Sequence, residues 1–367
     1  MNKKKPVALN ILLITKNFTM GGAEVHVCEL ANELTSRGHN VYLVANQGLQ
    51  SQFLSSKVKF FPLVISQLCF LPNLVSLYNL VRRKNIQVIH GHQRLGISLA
   101  VCLSKLANIP NLATIHGQLK YDIRSPFIRN RVDRLICVRK VTFDQAMKNH
   151  RLSSITSLIL NGVMVHPLLY KKHPYTLMYG SRLDKRHFSV IAMVITDVMP
   201  ELLKIYPKAK FVIYGQGSHA EELNSLIRSQ SAISHAIDYR GYTNKLGAHY
   251  QEASIALACA RSAMDALCNG TNVLPINVHA LGEIVTESNL NTFMGNNFEP
   301  INYEAPTPAM LLKLIKNYFD NYDTYNMQLI DLKKNAMNHI SLNSAVDKVE
   351  KLYWAVSTES KEVLNLR

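Results

Sequence analysis

The chain has 367 residues, is 47% hydrophobic and carries a formal net charge of +16. That is too long for one ordinary domain and apolar enough for two cores. No run of 18 apolar residues occurs, which argues against a membrane-spanning helix. The positive charge attracts nucleic acid, anionic lipid or phosphorylated substrates, and by itself does not choose among them.

Met1–Pro6 has the look of a signal n-region, but the apolar stretch Val7–Thr15 ends in a polar loop with no small-residue cleavage site, so it reads as the first strand. The cysteines Cys28, Cys69, Cys102, Cys137, Cys259 and Cys268 show no C-x-x-C spacing and sit mostly in apolar segments, as expected of reduced thiols in a cytoplasmic protein. Asn10–Thr15 is a short apolar run suited to a buried parallel strand. The turn Thr19-Met-Gly21-Gly22-Ala23 follows, then a helix carrying Val27, Leu30, Ala31 and Leu34, stopped at Gly38. Val41–Ala45 completes a βαβ unit with a parallel, right-handed connection. Val88–His90, Asn111–His116 and Arg134–Val138 continue as strands, with a helix over Ile97–Leu106. Asn161-Gly162 and two prolines mark a linker ending near Pro174. A second α/β half starts at Thr176–Gly180 and adds strands at Phe211–Tyr214, Ile237–Tyr239, Ile255–Ala258 and Asn272–Pro275. Val346, Val349, Leu352 and Tyr353 share one face of a last helix. The expected architecture is α/β, with two Rossmann-like domains facing a cleft: 1–163, 164–340, and a C-terminal helix in 341–367 packing back on the first domain.

Several loops could carry chemistry. Gly21-Gly22 between strand and helix lets backbone approach a phosphate, or is simply a tight turn. Gly215-Gln-Gly217-Ser-His-Ala220 matches a dinucleotide fingerprint, with Asp238 about twenty residues on, so a nicotinamide-dependent dehydrogenase is a rival reading. Ser262 reads as an N-cap, which places Asp265 in the first turn of its helix. His90, His92, His116 and His187 fall at or just past strand ends, the edge that faces the ligand crevice in open α/β sheets. His90 and His92 lack the carboxylate cluster that would make a metal site convincing, and none is expected. The stretch from Lys120 to Arg151 mixes nine basic residues with Tyr121, Phe127 and Phe143; it is either a solvated helix face or a surface for anionic lipid or a phosphorylated acceptor. No helix-turn-helix, zinc module or RNP-like signature supports nucleic acid.

Taken in order, the loops resemble those of the family-four retaining glycosyltransferases of the GT-B fold. The resemblance rests on Gly21-Gly22-Ala23-Glu24, Val88-Ile-His-Gly-His92, Thr114-Ile-His116-Gly117, Leu160-Asn161-Gly162-Val163, Gly180-Ser-Arg182-Leu183-Asp184, Tyr214-Gly-Gln-Gly217, Tyr239-Arg-Gly241-Tyr242, Asp265-Ala266-Leu267-Cys-Asn-Gly270 and Leu281-Gly-Glu-Ile-Val285, and covers residues 8–290. It implies a nucleotide-sugar donor, UDP- or GDP-linked, with no cofactor and no metal. The diphosphate would be held by Gly21, Gly22, Gly215, Gly217 and Arg182 with Lys185 or His187. Ser262 and Asp265 would complete the donor site, with Asp265 on the ribose, and His116 would face the reaction centre. Two departures stand out. Leu257 occupies the place of the family's first Glu, which holds the donor sugar, and His187 stands where a phosphate-binding Lys is usual. The resemblance further implies transfer to a glycan or lipid-linked acceptor, as in bacterial lipopolysaccharide or other surface polysaccharide synthesis. The expected location is cytoplasmic, peripheral at the inner face of the plasma membrane. A basic binding protein without catalysis and a sugar-nucleotide epimerase would also fit this fold.

Overall fold

The computed structural model describes residues 8–19 and 21–365, with side chains to Thr358. The signal-like start Met1–Pro6 and the turn residue Met20 lie outside the described residues. The chain divides into two units, one reaching to Gly162 and resuming at Leu342, the other Val163–Ser341.

The first unit is built on seven parallel strands: β1 (Asn10–Thr15), β2 (Asn40–Ala45), β3 (Lys59–Pro62), β4 (Val88–His92), β5 (Asn111–Ile115), β6 (Arg134–Cys137) and β7 (Thr156–Leu158). They lie in the order β3-β2-β1-β4-β5-β6-β7. The helices between them are α1 (Gly22–Ser36), α2 (Phe70–Arg83), α3 (Gln93–Ala107), α4 (Leu119–Asp122), α5 (Pro126–Arg129), α6 (Lys140–Met147) and α7 (His150–Ser153). Helices on both faces explain why β4 and β5 are buried at every residue, the polar His90, His92, Asn111 and Thr114 included. Strand order reverses between β1 and β4, and such a reversal opens a crevice beyond the carboxyl ends of the strands.

The second unit has β8 (Thr176–Gly180), β9 (Lys210–Tyr214), β10 (Ile237–Tyr239), β11 (Ile255–Ala258) and β12 (Asn272–Pro275), all parallel, in the order β10-β9-β8-β11-β12. Its reversal lies between β8 and β11. The helices are α8 (Lys185–Met193), continued through a π-helical stretch Val194–Val198 into α9 (Met199–Ile205), then α10 (Ala220–Ser229), α11 (Leu246–Tyr250), α12 (Ala260–Cys268), α13 (Glu287–Gly295), α14 (Pro308–Asp320) and α15 (Tyr322–Ile340). The core joins Leu177, Phe211, Ile213, Ile255 and Leu257 of the sheet to Ile191, Ile195, Leu311 and Tyr318 of the helices.

A final helix, α16 (Leu342–Asn365), belongs to the first unit. Its Val346, Val349 and Tyr353 are buried in the same cluster as Val27, Leu30 and Leu34 of α1. Arg37 just past α1 pairs with Asp347 and, at 3.0 Å, with Glu350, while His39 Nε2 lies 2.9 Å from the second Glu350 oxygen. Apolar burial fixes the helix on the unit, and this ion cluster fixes its register.

Candidate functional site

In the second unit the loop after β8 and the turn after β11 meet at the reversal of strand order. Asp184 caps α8: its Oδ1 accepts from the backbone N–H of Arg186 at 3.1 Å and of His187 at 3.3 Å. The side chains around this helix start are cationic and open. Arg182 keeps 57% of its side chain exposed and touches Asp184 only at 3.4 Å, Arg186 reaches the same carboxylate at 3.5 Å, and Lys185 is exposed. Such loose exposed pairs contribute little, so the charges remain available to an anion that the helix dipole also favours. His187 differs from its neighbours. Its Nδ1 is hydrogen-bonded to the Tyr179 hydroxyl at 2.9 Å, and burial, aided by Arg186 and Arg182, lowers its pKa. It stands in the first turn of α8 as a neutral imidazole, and Lys185 carries the positive charge there.

Gly215 and Gly217 stand behind this loop. At Gly215, where φ is +152°, a Cβ would lie 1.9 Å from the Ser181 carbonyl oxygen; at Gly217 it would lie 2.4 Å from that of Leu183. The two backbones are also joined by Ser181 N–H to Tyr214 O (3.0 Å) and Leu183 N–H to Gln216 O (3.1 Å). The glycines therefore let one loop brace the other and hold Arg182 in place. This location weakens the dinucleotide reading. The G-x-G-x-x-A sequence follows β9 and not the strand at the reversal, and Asp238 is already bound by Arg240 Nε at 2.7 Å.

The turn after β11 corrects the sequence expectation. Cys259, not Ser262, is the N-cap of α12, and the chain reverses over one residue with Ala260 at φ +51°. Asp265 consequently lies in the second turn, and the first turn holds no acidic residue. Ser262 Oγ donates instead to the Gly180 carbonyl and shares a 2.7 Å bond with the Tyr250 hydroxyl, tying α12 to the end of β8. Asp265 is 16% exposed, with Arg261 Nε at 3.9 Å. Leu257 is sealed in the core. With the strand passing so directly into the helix, no loop remains here to offer the donor sugar a carboxylate.

In the first unit, Gly21 is the N-cap of α1 in an extended conformation, and Gly22 opens the helix. Nothing lies within 4 Å of a Cβ built on Gly22, so packing does not require glycine there, whereas close approach of a ligand would. A Cβ on Gly21 would come within 2.3 Å of Glu24 Oε2. Glu24, held by Gln93 Nε2 at 3.0 Å, thus places a carboxylate over the helix start, which favours hydroxyl groups over a diphosphate at that point.

Beside it lies a histidine cluster that the sequence showed only in part. His90, in the middle of β4 and not at its end as the sequence implied, is fully buried between the Tyr353 hydroxyl (2.6 Å from Nδ1) and Thr114 Oγ1 (2.7 Å from Nε2). His92 Nδ1 is 3.2 Å from His116 Nε2, and His26 of α1 brings its ring to 5.1 Å from that of His116. His26 was missed because it sits among apolar residues of a helix; its signal was position, one turn past Gly22. Burial holds His90, His92 and His116 neutral. His90 is pushed down to about 3 and His116 to about 4, and His92 falls well below the usual range, with neighbouring histidines adding to the effect for His90 and His92. Protonation therefore favours the unfolded chain, where these groups titrate near 6.5. Unfolding free energy, read from urea titrations, should fall as pH drops through 6.5 towards 4, by up to about 1.4 kcal/mol per pH unit for each histidine kept neutral. Equal stability at pH 7.5 and 5.5 would contradict this.

One nitrogen each of His26, His92 and His116 lie within 4.8 Å of one another, making them, among the described residues, the group able to hold a cation. That spread is looser than the separation of about 3.3 Å between ligands of a tetrahedral zinc, and the group includes no carboxylate.

Residues 20–166 match the model of Glycosyltransferase Family 4. A human phosphatidylinositol N-acetylglucosaminyltransferase subunit is 22% identical over 76% of this chain, which spans 64% of that relative, under two thirds of its length. Among solved structures, a glycosyltransferase from Rickettsia africae superposes with a TM-score of 0.69 at 16% identity, over 95% of this chain and 98% of that one. Anabaena HepE in complex with UDP and glucose gives 0.66 at 13%, over 94% and 99%. The GT-B architecture is shared over nearly the whole chain, and the family-four glycosyltransferase model is matched across most of the first unit.

Proposed function

We propose that the protein transfers a sugar from a UDP-linked donor to a lipid-linked acceptor, with retention at the anomeric carbon and without a metal ion. The observation that carries this reading is the cationic start of α8: Arg182 and Lys185, exposed and loosely paired, stand at the strand-order reversal of the second unit, braced by Gly215 and Gly217. A diphosphate leaving group needs such charge as its bond to the sugar breaks. Asp265 would receive the ribose hydroxyls. In the first unit the neutral His116 would meet the sugar or the acceptor hydroxyl, and the open backbone at Gly22 admits close approach. UDP as the nucleotide is supported by the UDP complexes of HepE. Of the glycan and lipid-linked acceptors that the sequence allows, the lipid-linked one is favoured, and without a tie to lipopolysaccharide, because the curated relatives are named for phosphatidylinositol.

Nucleotide binding without transfer is favoured by one observation, the buried Leu257 in place of a sugar-facing carboxylate. A single series separates the readings. Saturating UDP should raise the melting temperature by about 5 °C, the shift expected of a ligand at roughly a hundred times its Kd, and NAD should not. Transfer of labelled sugar to extracted lipid should then survive excess chelator. UDP binding with no transfer would leave the binding reading. Loss of transfer with chelator, restored by zinc or manganese, would move the chemistry to His26, His92 and His116.

A further inference from the structure

The first unit contains a cavity of about 560 Å³ that the donor chemistry does not use. It begins at Gly117, directly after His116, and three cations reach it from three elements: Lys120 on α4, Arg129 on α5 and Arg139 at the start of α6. Gln118, Gln145 and Asn149 supply neutral polar groups, and no carboxylate lines it among the described residues. Of two nearby acids, Asp144 holds Lys140 at 2.6 Å, and Asp122 lies at the cavity's edge, accepting from the Gly117 N–H at 3.4 Å. Lys120 and Arg129 carry the positive potential of this concavity, whose described lining includes no carboxylate, and Arg139 stands beside them. The same short helices expose apolar side chains. Tyr121 is 56% exposed, Phe127 and Val141 48%, and Met147 44%, with the Arg131 guanidinium 4.0 Å over the Phe127 ring. Aromatic rings beside basic groups suit the boundary between lipid headgroups and chains.

We propose that this cavity seats the phosphate headgroup of a membrane lipid, while Tyr121, Phe127, Val141 and Met147 enter the lipid layer around it. The inference rests on the lipid-acceptor reading above and deepens it: the acceptor carries a phosphate, recognised beside His116. A soluble phosphorylated sugar would satisfy these cations equally well, and the exposed apolar rim favours the lipid.

The full-length protein should co-sediment with phosphatidylcholine vesicles containing phosphatidylinositol and not with phosphatidylcholine alone. The double change Lys120→Gln with Arg129→Gln should weaken that binding about 25-fold, about fivefold for each charge lost at an anionic surface. A control pair on the second unit, Lys208→Gln with Lys210→Gln, should change it less than about twofold. Phe127→Ser should weaken vesicle binding while excess inorganic phosphate competes only partly. Equal loss in both lysine-bearing pairs would show diffuse attraction and overturn the site. Full competition by inorganic phosphate with no effect of Phe127→Ser would overturn the lipid and leave a soluble phosphate ligand. Melting temperature and its shift with UDP, read on the same variants, should stay at wild-type values. A wild type that fails to bind UDP yet shows the vesicle pattern would count against sugar transfer and not against the cavity.

Discussion

Arg182→Ala should lower sugar transfer by about 100-fold, the usual loss when one group stabilising a developing charge is removed. The side chain is 57% exposed and buries no core surface, so the melting temperature should hold and the loss should be chemical. Arg182→Lys should recover part of the rate: it keeps the charge and loses the planar fork that can take two phosphate oxygens at once. Lys185→Ala should cost less, because the dipole of α8 and the Arg186 guanidinium remain. His187→Ala should act through packing against Tyr179, with a lower melting temperature and a modest change in rate. Unchanged turnover in a folded Arg182→Ala protein would remove the diphosphate from this helix start.

Asp265→Ala should weaken UDP binding by about 10- to 100-fold, on the order of the 1.5–3 kcal/mol that a charge-assisted hydrogen bond contributes. Because Asp265 lies in the second turn of α12, loss of a helix cap cannot account for such an effect. Arg261 is a structural partner, at a long 3.9 Å. A 2′,3′-dideoxy nucleotide should bind the wild type weakly and be nearly insensitive to the change, since it lacks the donors that the carboxylate accepts. Asp265→Asn should lose less, as one acceptor remains. Equal loss for the ribo and dideoxy nucleotides would assign Asp265 to holding Arg261 and shift the ribose to another group.

The loops that form both candidate half-sites were legible because parallel strands buried on two faces are continuous apolar runs, and what interrupts them is the ligand-facing turn. His92 and His116 could be placed from that rule, and Arg182 from the Gly180-Ser-Arg182-Leu183-Asp184 resemblance. The start of α12 could not. Periodicity marks a helix's face and not its first residue, and its N-cap is a cysteine with no capping hydrogen bond, while Ser262 resembles a cap and spends its hydroxyl on Gly180. The stretch between residues 46 and 87 gave no strand or helix, since β3 is a half-exposed edge strand and α2 contains Pro72. The close contact of Gly215 and Gly217 with the Ser181–Leu183 backbone was not legible either, because it joins segments more than thirty residues apart in sequence. Burial is likewise a tertiary property, which is why the neutrality of His187, set by burial with Arg186 and Arg182 beside it, could not be seen from a motif that expects a lysine there.

Helix α16 has a consequence for how the protein is made. The first unit's strands leave the ribosome early, yet the core around Val27, Leu30 and Leu34 stays open until Val346, Val349 and Tyr353 arrive. Between the two lie residues 163–341, the whole of the second unit. At about 5–20 residues per second, the early sheet waits roughly 10 to 35 seconds for its last helix while its neighbour folds to completion. During that interval the side chain of His90 has no Tyr353 hydroxyl to meet. The packing around His90 is therefore completed last, and a chain released before its final helix carries a finished second unit beside a first unit whose core is still open.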